Sequence, residues 1–201
     1  IGNKGSILDG CCQWMTAGSG IMHQEMPQPA PRMLGVQLWL NLPAKDKMAA
    51  PQYRDIRADM IPAVSAGGGT VRVVSGTYQQ TQGPVSGDYV KMLMLDVELP
   101  PSKSWELGTN PEDTLFIYIV EGDIRFEDEG STLFPSRRAV LFGNGDKLFA
   151  QAGPQGARFL VFAGKPLGEP VAWGGPIVMN TRAELDTAFS ELNNGTFIKK
   201  T

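Results

Sequence analysis

Gly69-Thr70-Val71-Arg72-Val73-Val74-Ser75-Gly76 is a β-branched run bounded by glycines, and it reads as a strand. More short runs follow at close intervals: Tyr89 to Leu99, Asp113 to Val120, Gly122 to Glu127, Ala139 to Phe142, Lys147 to Gln151 and Arg158 to Ala163. Glu121-Gly122-Asp123 reads as a tight hairpin turn between two of them. Many short strands separated by turn residues predict a closed antiparallel barrel, so the fold class is all-β. Only Thr181 to Asn193 has helical spacing. Thr181 caps it, Glu184 is the capping-box partner three residues on, and Leu185, Ala188, Phe189 and Leu192 form the apolar stripe. Asn194-Gly195 stops it.

Upstream, Ser6 to Met15 reads as strand, turn and strand. Gly35 to Leu42 alternates, with Val36, Leu38, Leu40 and Leu42 on one face and Gln37, Trp39 and Asn41 on the other, the period-two signature of a strand with one buried side. Pro43 ends it, and Lys45 to Ile61, charged and turn-rich, reads as a linker. Trp105 and Glu106 read as a half-buried strand-end aromatic and a solvated acid.

The 201 residues are 42% hydrophobic and 19% charged, with 24 glycines and 15 prolines, a composition that favours strands over long helices. A net charge of −3 with scattered Lys and Arg argues against a direct nucleic-acid surface, which needs clustered cations. The only adjacent basic pairs, Arg137-Arg138 and Lys199-Lys200, read as solvated surface. Cys11 and Cys12 are sequence neighbours, poorly placed to bridge each other, and read as partly buried inert thiols in a reducing compartment. No apolar window is long enough for a membrane span and no signal-peptide pattern opens the chain, so a cytoplasmic location is expected.

Chemistry concentrates in Gln13-Trp14-Met15-Thr16-Ala17-Gly18-Ser19-Gly20-Ile21-Met22-His23-Gln24-Glu25, which holds the only histidine. In an extended segment, His23 and Glu25 project to the same side about 7 Å apart. An imidazole with a carboxylate is a sensible donor pair for iron. Taken alone, the spacing is more simply a surface histidine beside a solvated glutamate, since short motifs recur by chance.

That stretch, with Gly35-Val36-Gln37-Leu38-Trp39-Leu40-Asn41-Leu42-Pro43-Ala44-Lys45-Asp46-Lys47-Met48, resembles the pirin family, a branch of the bicupin proteins. The likeness continues through Pro51 to Ile56, Gly168-Glu169-Pro170-Val171 and Gly175 to Asn180. It implies tandem cupin (jelly-roll-like) barrels, with one Fe(II) held in the first by three histidines and a glutamate. His23 and Glu25 stand at the places of the third histidine and the glutamate, and Glu25 is also the implied catalytic proton acceptor. Gln37 and Trp39 are weaker candidates, Trp39 reading as interior packing.

Pirins carry the other two histidines in an H-P-H-R-G-like segment that this sequence lacks. Residues 1–62 read as the C-terminal part of the first, metal-site barrel plus linker, 63–165 as a metal-free second barrel, and 166–201 as a tail with a short helix. The chain is therefore expected to be N-terminally incomplete, to hold iron weakly or not at all, and to be inactive alone. In the second barrel, Gly108 and Asn110 stand where the upstream histidines would be, and neither is an iron ligand. The resemblance implies a flavonol-like substrate, as for iron-dependent quercetin 2,3-dioxygenase-type oxygenases. The alternative is a redox-sensitive protein-binding transcriptional cofactor. An interrupted barrel leaves an open strand edge, which a missing N-terminal segment or a second chain is expected to cover.

Overall fold

The computed structural model describes residues 5–127 and 132–199. Residues 1–4 and Lys200 of the last basic pair lie outside the described residues. In chain order the strands are β1 (Cys12–Thr16), β2 (Gln52–Ile56), β3 (Ala63–Ala66), β4 (Gly69–Ser75), β5 (Thr77–Tyr78), β6 (Thr81–Gln82) and β7 (Met92–Leu99). There follow β8 (Ser104–Gly108), β9 (Thr114–Arg125), β10 (Phe134–Pro135), β11 (Arg138–Leu141), β12 (Lys147–Gly164), β13 (Ala172–Gly174) and β14 (Ile177–Met179), and then the helix α1 (Arg182–Asn193). Residues 56–166 form one compact unit; residues 1–55 and 167–201, the latter including the segment read as a tail, form the other.

In the unit 56–166 an antiparallel eight-stranded sheet runs in the order β10-β9-β12-β7-β4-β3, with β11 also on β9 and β8 also on β12. Alternate residues of each strand face a common core: Val71 and Val73 from β4, Leu95, Val97 and Leu99 from β7, Ile117 and Ile119 from β9, Phe159 and Val161 from β12. Burial of these β-branched and aromatic side chains is what makes the sheet wrap around itself. At its centre, Trp105 is only 2% exposed. Its ring packs edge-on to Phe159 at 5.7 Å and its indole N–H donates to the Tyr78 hydroxyl at 2.9 Å. The reading of Trp105 as a half-buried strand-end residue is therefore corrected, since alternation along β8 turns its side chain inward with Leu107. Glu106, on the other face, is exposed and pairs with Lys147 at 3.1 Å.

The expected hairpin at Glu121-Gly122-Asp123 does not form, because β9 runs straight through it. The register slips there instead: Arg158 faces Glu121 and Phe159 faces Ile119, which leaves Val120 as the extra residue of a bulge. Gly122 has φ +69°, and a Cβ on it would lie 1.9 Å from the Gly156 carbonyl oxygen. The glycine thus serves a close approach of two strand backbones, not a reversal. Likewise the two runs Lys147 to Gln151 and Arg158 to Ala163 are parts of the single strand β12.

On the outward face of this sheet, Asp96 is buried beneath two cations. Arg158 grips it through Nε at 2.9 Å and Nη2 at 2.8 Å, and Arg72 lies 3.7 Å away.

In the other unit, β1 pairs with β2, and β13 with β14. The linker read at Lys45 to Ile61 thus contains a strand, β2. Of the two strands expected in Ser6 to Met15 only β1 forms, preceded by a turn in which the Cys11 N–H donates to Leu8 at 3.0 Å. The alternating stretch Gly35 to Leu42 carries no ladder, because among the described residues no strand lies alongside to pair with it. Its expected buried side is open, with Val36 48%, Leu38 37% and Leu40 39% exposed.

Helix α1 follows its sequence signature. The Thr181 hydroxyl accepts from the Glu184 N–H at 3.2 Å and the Glu184 carboxylate accepts from the Thr181 N–H at 2.8 Å, while Leu185 and Ala188 bury against Ile177. Those backbone donors hold the Glu184 carboxyl below the usual glutamate range. Its contribution is therefore present above the ordinary glutamate pKa and fades as pH falls through the lowered one. Thr181→Ala is expected to cost about 1 kcal/mol, read as lost helicity in circular dichroism and a lower urea midpoint.

Candidate functional site

The approach to the candidate site is set by Gly18. With φ +53°, it lets the Ala49 carbonyl come where a Cβ would sit 2.0 Å away, and the Ser19 N–H donates to that same carbonyl at 2.9 Å. Beyond this turn the chain carries His23 and Glu25, both exposed, outside any regular element.

The Gln37 amide donates to Glu25 Oε1 at 3.3 Å, and the Trp39 indole N–H donates to Gln37 Oε1 at 3.3 Å. An indole N–H can only donate, so it turns the amide oxygen toward itself and the amide NH2 toward the carboxylate. Gln37 and Trp39 therefore belong with Glu25. Trp39, expected as interior packing, is exposed instead, because the stretch that carries it has no sheet to pack into.

The family resemblance implies a metal, and the donor set can be tested against it. Among the described residues no group of three or more His, Cys, Asp or Glu side chains is placed to hold a metal ion. One imidazole and one carboxylate do not fit a complete coordination sphere. Cys11 and Cys12 are free and half-buried, and burial first, then the neighbouring Cys11, pushes the Cys12 thiol upward, away from a reactive thiolate. In the second unit, Asn110 is a turn residue whose side chain accepts from the Glu112 N–H at 3.1 Å. No helix among the described residues is long and apolar enough to cross a membrane.

A cluster that spacing could not reveal lies where three of the resembling blocks meet. Lys47 is buried and donates to Asn41 Oδ1. Glu169 Oε2 accepts from the Ala44 N–H at 2.7 Å and from Asn180 Nδ2 at 3.2 Å. The only signal in the sequence was that all five residues fall in those blocks.

The family model described as Pirin C-terminal cupin domain matches residues 94–198, and the model described as Pirin matches residues 1–40. A Thermoplasma acidophilum protein provisionally named quercetin 2,3-dioxygenase Ta0133 is 40% identical over 98% of this chain and 82% of its own length. A pirin-like protein of Caulobacter vibrioides is 42% identical over 98% of this chain and 71% of its own, and human pirin 38% over 96% and 67%. The crystal structure of quercetin 2,3-dioxygenase from Acinetobacter baumannii superposes with a TM-score of 0.82 at 28% identity, covering 98% of this chain and 69% of that one. With a cupin-domain model matching over half its length and relatives this similar, the chain belongs to the pirin family.

Proposed function

We propose that this chain is a pirin-family relative of the quercetin 2,3-dioxygenase-type oxygenases, and that by itself it is inactive. The observation that carries the proposal is the Trp39–Gln37–Glu25 chain of hydrogen bonds, two residues along from His23, with no group of three donors placed for a metal among the described residues. Gln37 occupies one oxygen of Glu25, leaving Oε2 to accept a proton from a flavonol hydroxyl. His23 and Glu25 stand at two of the four Fe(II) donor positions that the family resemblance implies.

The exposed alternating stretch supports a matching structural proposal. An extended segment with one apolar side and unpaired backbone groups takes up a β-strand alongside, which would cover Val36, Leu38 and Leu40. The occupant is a strand segment carrying the two further histidines.

The test compares the chain alone with the chain joined to the N-terminal strands of a longer pirin. The chain alone should retain iron weakly and show no quercetin-dependent oxygen uptake. The joined protein should gain both, and lose both in His23→Ala and Glu25→Gln. Oxygen uptake by the chain alone, or iron retention indifferent to those two substitutions, would overturn the proposal. Tight iron retention without flavonol turnover would favour the redox-sensitive protein-binding role over the enzyme.

A further inference from the structure

We propose that the turn Asn41–Met48 and residues 168–184 form a charge-centred clasp, in which Lys47 is a positioning residue for the stretch carrying Gln37 and Trp39. Lys47 is 8% exposed, so this is not a solvated surface lysine. Its ammonium donates to Asn41 Oδ1, and the negative charges of Glu169 and Glu184 act on it. Burial pulls Lys47 below the usual lysine range, with the charges of Glu169 and then Glu184 acting against that shift.

Each carboxylate is tied to backbone as well. Glu169 accepts from the Ala44 N–H in the turn and from Asn180, which also donates to the Pro170 carbonyl at 2.9 Å. Glu184 accepts from the N–H groups of Asn180, at 3.1 Å, and Thr181. The two segments are 125 residues apart in sequence at the Ala44–Glu169 contact. A buried ammonium is costly to keep unless charge and geometry repay it, and hydrogen bonds from two segments converge on its partners. Asn41 lies two residues beyond Trp39, so the Lys47–Asn41 bond fixes the end of the stretch that orients Glu25. Only this last step rests on the functional reading above; the clasp itself does not.

The experiment uses the full chain with no metal and no flavonol, so its outcome is separable from that of the oxygen-uptake test. Hydrogen exchange and the Trp39 indole N–H resonance are followed in the wild type, Lys47→Met, Lys47→Arg and Glu169→Gln. Lys47→Met and Glu169→Gln should each speed amide exchange by about tenfold in 41–48 and 168–184 together, as one opening unit. They should also move the Trp39 resonance. Lys47→Arg, which keeps the charge, should stay near wild type in both. Should Lys47→Met fail to fold, Glu169→Gln, close in shape and still an acceptor, carries the same test. Faster exchange in one segment only, or an unmoved Trp39 resonance in every variant, would overturn the proposal.

Discussion

Trp105→Ala is expected to destabilise the unit 56–166 by about 3–5 kcal/mol, the range for losing a buried large aromatic. The indole touches Phe159 on one side and Tyr78, 6.1 Å between ring centres, on another, so its removal opens a cavity at the middle of the sheet. It also takes away the closer of two donors to the Tyr78 hydroxyl, the other being the Gln79 amide at 3.4 Å. Trp105→Phe separates the two effects, because it keeps most of the ring and deletes the N–H, and about 1 kcal/mol is expected for the lost hydrogen bond, the Tyr78 hydroxyl still accepting from Gln79. Urea unfolding followed by circular dichroism measures both. A cost below about 1 kcal/mol for the alanine variant would mean that the core collapses onto the gap and that the aromatic cluster is not what holds the sheet closed.

Asp96→Ala should be the next most damaging single change, at about 2 kcal/mol. Breaking a fully buried pair by removing one partner costs about 3–5 kcal/mol, and that figure is scaled down here because the Arg158 side chain is 35% exposed and water can reach it. The loss leaves Arg158 and Arg72 without the carboxylate between them. The hydrogen bonds that Arg158 donates to Asp96 are the main reason that it holds its proton even more firmly than an ordinary arginine. A double-mutant cycle with Arg158→Met isolates the pair, and a coupling energy near zero would show that the bidentate geometry carries no net stability.

Local chemistry was legible in the sequence, and partnership was not. The helix start is a contract among Thr181, Glu184 and the backbone between them, so spacing alone identified it. The alternation of β4 and β7 likewise follows from residues a few positions apart. Gly122 shows the boundary. A glycine between two apolar runs signals a hairpin or a bulge equally well, and the choice was made by Gly156, 34 positions later in the chain. The alternation of Gly35 to Leu42 was also real, but a strand is a relation between two segments, and among the described residues none pairs with this one. At the candidate site, His23 and Glu25 stood out as a pair by their spacing. The contact that ties Glu25 to Gln37 spans 12 residues and the one that ties Ala44 to Glu169 spans 125, distances over which pattern carries no information.

The aromatic plug of the unit 56–166 decides what its interior can hold. Tyr78, Trp105 and Phe159 fill with protein the central space that a barrel could otherwise offer a guest molecule. The inward-facing positions of this unit pack against one another, so it holds its shape from within.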